Sequence, residues 1–288
     1  MSESNRKIGF IGSGNMGEAM TGAIIRGGIA PASHIYVSDV SPERLLMMRR
    51  TYGVQTLTDN FRLFSECDIV ILAVKPQQMN QVLSEIAGHK DYAVTERKLI
   101  ISIAAGIPIR KIEKMLYSPP GLKSDEISRK HLPIIRVMPN TPALVLSGMS
   151  GMSANSYAVA EDISICKTIL ESMGKVIEFE EEKLDAVTAL SGSGPAYLFY
   201  LAEAMTAAGI HLGFTPEHAA ALTLGTLQGA VKLMAERNES PESLRRKVTS
   251  PGGTTEAALK VMESSNLKQI VVSAIAAAAR RSKELSGD

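Results

Sequence analysis

The run Gly12-Ser13-Gly14-Asn15-Met16-Gly17 constrains this chain more than any other segment. It follows Lys7-Ile8-Gly9-Phe10-Ile11, a short apolar stretch of the kind buried on both faces in a parallel sheet. It precedes residues 18–25, which read as helix. A G-x-G-x-x-G run between strand and helix is the dinucleotide fingerprint. Gly12 makes the turn, Gly14 lets the main chain approach a pyrophosphate, and Gly17 lets the helix pack on the strand. Amides at the start of that helix have no partner within it and sit at the positive end of its dipole, which favours the pyrophosphate.

A second strand over 34–39 ends on Asp39, about 20 residues after Gly17, where such folds receive the adenosine ribose hydroxyls of NAD. Asp39 repels a phosphate at that point, whereas Arg44 is close enough in sequence to turn toward a 2′-phosphate. NAD and NADP therefore both stay open. The plainer role for Asp39 is to cap the helix that opens at Ser41-Pro42-Glu43-Arg44. Further strands are expected at 67–74, 98–103 and 134–138, with edge strands at 148–154 and 175–179 around a helix near 158–173. This alternation predicts an α/β fold with a doubly wound, mainly parallel Rossmann sheet. Small residues and prolines gather at 73–76, 104–106 and 139–142, where strands end. They mark a cleft beyond the carboxyl ends of the strands, although each also serves simply to stop a strand.

From about residue 183 the strand-like runs vanish. Helices are expected over 184–190, 194–211, 215–237, 241–248 and 254–285, giving a nucleotide domain at 1–182 and an all-helical domain at 183–288. Stretches 197–210 and 217–235 are apolar on most faces, with Gly209, Gly225 and Gly229 permitting close packing. A helix that is apolar all round must be buried, and a domain of about 105 residues has limited interior. The helices of two subunits are therefore expected to interlock in a homodimer, or in an assembly of such dimers. A compact monomeric bundle is the alternative.

Composition removes several function classes. Across 288 residues, 31 basic and 30 acidic side chains leave a net charge of +1, which offers no general attraction to nucleic acid or an anionic membrane. The first residues lack the basic-then-apolar layout of a signal peptide, and no apolar run is long enough to span a bilayer. A cytoplasmic enzyme is expected, with Cys67 and Cys166 as buried reduced thiols. The five histidines show no metal-ligand spacing, so no metal is expected. Residues 118–131 read as a solvated surface loop without chemistry.

A second candidate anion site lies at Ser250-Pro251-Gly252-Gly253-Thr254-Thr255, which runs directly into a helical pattern at Glu256. Two glycines let the backbone turn and come close to a ligand, and the free amides of the helix start suit a carboxylate. The segment contains no Lys, Arg or His, so the main chain itself would hold the anion. The bland reading is a tight interhelical turn with Thr254 or Thr255 as N-cap. Oxidation of an alcohol needs a base in the cleft. The helix expected after Ser191-Gly192-Ser193-Gly194-Pro195 carries no Lys or Asn in its first turns. A base-free site suits reduction of C=N instead, because an iminium is already protonated and chiefly needs a hydride and correct orientation.

The chain resembles the pyrroline-5-carboxylate reductases over nearly its whole length. The matching stretches are 8–17, Ala73-Val74-Lys75-Pro76, Ser102-Ile103-Ala104-Ala105-Gly106, Met138-Pro139-Asn140-Thr141-Pro142, 191–197 and 250–255. The resemblance implies the last step of proline synthesis, reduction of (S)-1-pyrroline-5-carboxylate to L-proline by NADPH or NADH. It implies that Gly252, Gly253, Thr254 and Thr255 hold the substrate carboxylate through the backbone and that Thr255 lies near the ring nitrogen. It implies cofactor contacts from Gly12, Ser13, Gly14, Asn15, Met16 and Gly17, from Asp39 and Asn60, and from Ala73, Val74, Lys75, Pro76, Ala104, Ala105 and Gly106. It also implies an active site formed between one subunit's nucleotide domain and its partner's helices. Asp39 departs from the family, many members of which prefer NADPH and carry a neutral residue there, and it favours NADH. Plainer roles remain for Lys75 as a solvated strand-end lysine, for Asn140 as an Asx turn, and for Ser191 and Ser193 as a helix start. Rival functions are reduction of another cyclic imino acid and nucleotide sensing without turnover.

Overall fold

The computed structural model describes residues 6–92, 97–117 and 131–286. Nearly all of the surface loop read at 118–131 lies outside these residues. The order of elements begins β1 (Ile8–Ile11), α1 (Asn15–Arg26), β2 (Ile35–Ser38), α2 (Pro42–Tyr52), β3 (Gln55–Leu57), α3 (Asn60–Glu66), β4 (Ile69–Leu72) and α4 (Met79–Ala87). It continues with β5 (Leu99–Ser102), α5 (Ile109–Tyr117), β6 (Ile134–Met138), β7 (Gly148–Ala154), α6 (Ala160–Glu171), β8 (Gly174–Glu178) and α7 (Leu184–Val187).

The strands form one sheet in the order β3-β2-β1-β4-β5-β6-β7-β8. Every pair is parallel except β6 with β7. The strand order reverses on either side of β1, and ligands of such sheets sit at that switch point. Register sets Phe10 beside Val37 and Ile71. Side chains alternate across a strand, so Phe10, Val37 and Ile71 join one apolar layer under α1, α2 and α6, while Ile11, Leu72 and Ile100 join another under α3, α4 and α5. Each fully buried Ile or Leu in these layers contributes about 1.5–3 kcal/mol of transfer free energy. β3 is an addition to the sequence reading. Its three residues, Gln55-Thr56-Leu57, are partly exposed on the sheet edge and carry no apolar run.

Contacts divide the chain into two units, one comprising residues up to Gly192 and again from Ala279, the other spanning Ser193–Ala278. The division falls beyond the 182/183 boundary read from sequence because α7 packs on β7 and β6. A π-helical turn, Thr188–Gly192, then closes the first unit. The second unit is helical, with α8 (Gly194–His211), α9 (Pro216–Glu236), α10 (Pro241–Lys247), α11 (Thr254–Ser264) and most of α12 (Leu267–Ser286). The single helix expected at 254–285 is two, because Asn266 adopts φ 54 after a run of serines. Asn tolerates the left-handed region better than most residues.

The last residues of α12 belong to the first unit. Ser282 Oγ donates to Asp185 at 2.7 Å. Asp185 and Glu181 flank the Arg136 guanidinium at 3.4 and 3.2 Å, and Arg136 itself is buried. Gly209 lets α8 approach Ala219 of α9, where a Cβ would lie 2.9 Å from the alanine methyl. Gly225 and Gly229 have nothing within 4 Å of the corresponding position.

Candidate active site

β1 ends at Ile11, and the chain turns through Gly12 at φ +98, a conformation that L side chains rarely adopt. A Cβ there would fall 2.8 Å from the Ala73 carbonyl oxygen, and one on Gly17 would fall 2.7 Å from the Gly12 oxygen. Gly14 is different: nothing lies within 4 Å of its Cβ position. Gly14 is also the N-cap of α1, with no side-chain cap. Its open face and the uncapped amides beyond it form a cradle that fits a dinucleotide pyrophosphate.

This cradle opens onto a cavity of about 400 Å³. Of the expected cofactor residues, Gly12, Gly14, Asn15, Asp39, Asn60, Ala73, Val74 and Lys75 line it together. Ser13, Met16 and Pro76 adjoin those residues in the chain without lining it, Gly17 follows Met16 in α1, and Ala104, Ala105 and Gly106 lie after β5. Ser13 is fully buried, and its amide and hydroxyl both donate to Asp39 Oδ2, at 2.7 and 2.8 Å. The Ser41 amide donates to Asp39 Oδ1 at 3.0 Å. Ser41 itself caps α2, so Asp39 is not the cap of that helix. Partial burial pushes the Asp39 carboxyl up, but hydrogen bonds from Ser41 and Ser13 and the charge of Arg44 outweigh it. Asp39 therefore titrates below the ordinary carboxylate range.

Asn60 opens α3 and accepts from Ser38 Oγ at 2.7 Å while donating to Glu85 at 3.1 Å. Sequence reasoning missed Gln81 and Glu85 on α4 and Gln78 at its N-cap, which together present a polar stripe to the cavity. Their spacing of three and four residues in the helix after Pro76 was the available signal. Asn140 does not close the expected Asx turn. It makes no cap bond to the turn Thr141–Val145. Its amide donates to Ser191 and its carbonyl accepts from the Met149 amide at 2.8 Å, which braces the end of β6.

In the helical unit, Gly252 turns the chain at φ +74 and α11 begins at Thr254 with Gly253 as N-cap. Neither Thr254 nor Thr255 is the cap, so the bland reading of that threonine pair does not hold. Thr255 is half-buried in the first turn of α11. The Gly252 amide donates to the Glu256 carboxylate at 3.0 Å, and Lys260 lies 3.2 Å from the same oxygen. One loop amide thus already binds a carboxylate from the chain itself. Both cysteines are free and buried, and burial pushes the Cys67 thiol up to about 12. Among the described residues, no cluster of His, Cys, Asp and Glu could hold a metal ion, and no helix is long and apolar enough to cross a membrane.

A doubly wound sheet with a glycine cradle at its switch point and an acidic strand end defines an NAD(P)-dependent oxidoreductase. Residues 7–106 match the family described as NADP oxidoreductase, coenzyme F420-dependent, and residues 181–285 match pyrroline-5-carboxylate reductase dimerisation. The chain is 39% identical over 282 residues to pyrroline-5-carboxylate reductase 2 of Bacillus subtilis, covering 97% of this chain and 95% of that one. It is also 39% identical to the pyrroline-5-carboxylate reductase of Pseudomonas aeruginosa, with 98% of each chain covered. A solved pyrroline-5-carboxylate reductase from Coxiella burnetii superposes with a TM-score of 0.85 at 37% identity, over 98% of this chain and 99% of that one. The Plasmodium falciparum pyrroline carboxylate reductase, solved with NADP bound, superposes at 0.84 and 30% identity, over 99% of this chain and all of the other. The chain belongs to the pyrroline-5-carboxylate reductase family.

Proposed function

We infer that the chain reduces (S)-1-pyrroline-5-carboxylate to L-proline, the last step of proline synthesis, and that the Gly252–Gly253 turn and the start of α11 hold the substrate carboxylate. One observation carries this reading: the turn bears no cationic side chain, yet its Gly252 amide already bonds a carboxylate, that of Glu256. NADH or NADPH, when bound, supplies the hydride. The protonated imine carbon accepts it and the ring nitrogen retains its proton, so no residue of the chain need act as a base. Gly252, Gly253, Thr254 and Thr255 bind through their main chain. The Thr255 hydroxyl orients the ring nitrogen, which restricts the ring to a reactive approach. Gly12, Gly14 and Asn15 cradle the pyrophosphate, and Asp39 receives the adenosine ribose. Ser13, Met16 and Gly17 shape that cradle, Asn60, Ala73, Val74, Lys75 and Pro76 border the bound dinucleotide, and Ala104, Ala105 and Gly106 flank it.

The functional unit is a homodimer joined through the helical unit, whose apolar side chains need cover. It works in the cytoplasm, consistent with two buried free thiols. The direct test is oxidation of NADH or NADPH by the purified protein on addition of pyrroline-5-carboxylate. Rapid, substrate-dependent oxidation is expected. Binding of the dinucleotide without turnover would instead support a sensing role and overturn the proposal.

A further inference from the structure

We propose that Glu18 sets the choice between the two dinucleotides, by holding the Arg44 guanidinium off the ribose edge of the cleft, and that this chain thereby prefers NADH. The inference rests on the reductase reading above and extends it to the form of the cofactor.

NADPH differs from NADH by a phosphate on the adenosine ribose, which carries about two negative charges near neutral pH. A site that accepts this group needs a cation with N–H donors free to meet it. A site that rejects it presents a carboxylate. Asp39 is that carboxylate, and three donors from Ser13 and Ser41 fix it in place, so it cannot swing aside for a phosphate.

Arg44, which also lines the cavity, is the residue that would offset it. Its Nε donates to the Ser13 carbonyl at 3.0 Å, and Nη2 contacts the same oxygen and lies 2.8 Å from Glu18 Oε2. The other Glu18 oxygen, Oε1, accepts from the Tyr52 hydroxyl at 3.2 Å. Burial, then the nearby Glu18 charge, raises the Tyr52 phenol above its ordinary value, which keeps it a donor. The guanidinium is therefore paired with one carboxylate, and its Nε–Nη2 edge is occupied by the Ser13 carbonyl and Glu18 rather than free for bidentate phosphate recognition. Asp39, Glu18 and Arg44 together leave this edge of the cleft net negative.

Glu18 stands in the first turn of α1, where a carboxylate also complements the helix dipole. A purely structural role is thus the competing explanation, and kinetics separate the two. Glu18→Gln keeps the size of the side chain and removes its charge. Steady-state kcat/KM with NADPH is expected to rise at least about 10-fold through a lower KM, with kcat nearly constant, while the NADH values stay within about twofold. Adding Arg44→Ala to Glu18→Gln is expected to erase the gain. Competitive inhibition of the unmodified enzyme gives a check free of any folding defect: 2′,5′-ADP is expected to bind at least about 10-fold more weakly than 5′-AMP. Equal loss with both cofactors in Glu18→Gln, or tighter binding of 2′,5′-ADP to the unmodified enzyme, would overturn the proposal. The reductase reading fails differently, by absence of turnover with either cofactor.

Discussion

Phe10 on β1 and Phe199 on α8 both sit in strongly apolar stretches, yet Phe10 is fully buried and Phe199 is 64% exposed. The contrast extends to the two units. In the nucleotide unit the central parallel strands β1, β4 and β5 are buried along their whole length between layers of crossover helices, so this part of the chain completes its core without help. Among the described residues of the helical unit, Ala219 alone of the hydrophobic residues is buried. Tyr200 is 75% exposed, and Leu224, Val261 and Val272 are exposed with it. A sheet built from βαβ units supplies its own cover, whereas a few helices that are apolar around most of their circumference do not. In the proposed homodimer the second subunit covers them.

The largest effect that would break this contrast is loss of assembly. Replacing Phe199 and Tyr200 together by Glu should weaken self-association at least about 1,000-fold, or ~4 kcal/mol, because large aromatic side chains dominate interface energetics. Sedimentation of the variant as monomer, with its far-ultraviolet circular dichroism retained, is the expected outcome. Undiminished association would place the interface elsewhere.

The nucleotide unit should respond to internal damage instead. Arg136→Leu strands Glu181 and Asp185 without their buried cation, at a cost of about 3 kcal/mol. A lower urea midpoint with an unchanged m-value would record it, and self-association should be unaffected.

Thr255→Val keeps the side-chain shape and removes the hydroxyl. Loss of one transition-state hydrogen bond of about 1–3 kcal/mol should lower kcat/KM for pyrroline-5-carboxylate by about 5–150-fold, with stability unchanged. An unchanged kcat/KM would leave Thr255 as a helix residue only.

The smallest effect concerns Asp39. Its folded pKa lies below the ordinary value of 3.8, so the stabilisation it gives is complete above that value and is lost as the pH falls through the lower, folded one. Asp39→Asn should be less stable than the unmodified protein by about half a kcal/mol near neutral pH, the figure being small because solvent screens a partly exposed group. The difference should close below pH 3.8 in acid titrations of unfolding. A difference that persisted at lower pH would assign it to packing.

The strands and the glycine cradle were legible in the sequence because parallel strands need uninterrupted apolar runs and because Gly12, Gly14 and Gly17 answer separate steric demands. β3 was not legible, since Gln55-Thr56-Leu57 is held by pairing with β2 rather than by burial. The break at Asn266 was missed because a left-handed Asn inside a helical pattern has no periodic signature. At the site, Asp39 was readable from its distance to Gly17, but its immobilisation by Ser13 and the diversion of Arg44 to Glu18 were not. Both depend on side chains that the turn at Gly12 brings together, 26 residues apart in the case of Ser13 and Asp39.

Catalysis as proposed requires that main-chain donors at the start of α11 hold the acidic ring. A crystal structure of the enzyme with proline and oxidised dinucleotide tests this most directly. The prediction is that the proline carboxylate lies about 2.7–3.2 Å from backbone nitrogens within residues 252–255, with the Glu256 side chain withdrawn from the Gly252 amide and the Thr255 hydroxyl beside the ring nitrogen. Proline bound elsewhere, with Glu256 still on Gly252, would contradict it.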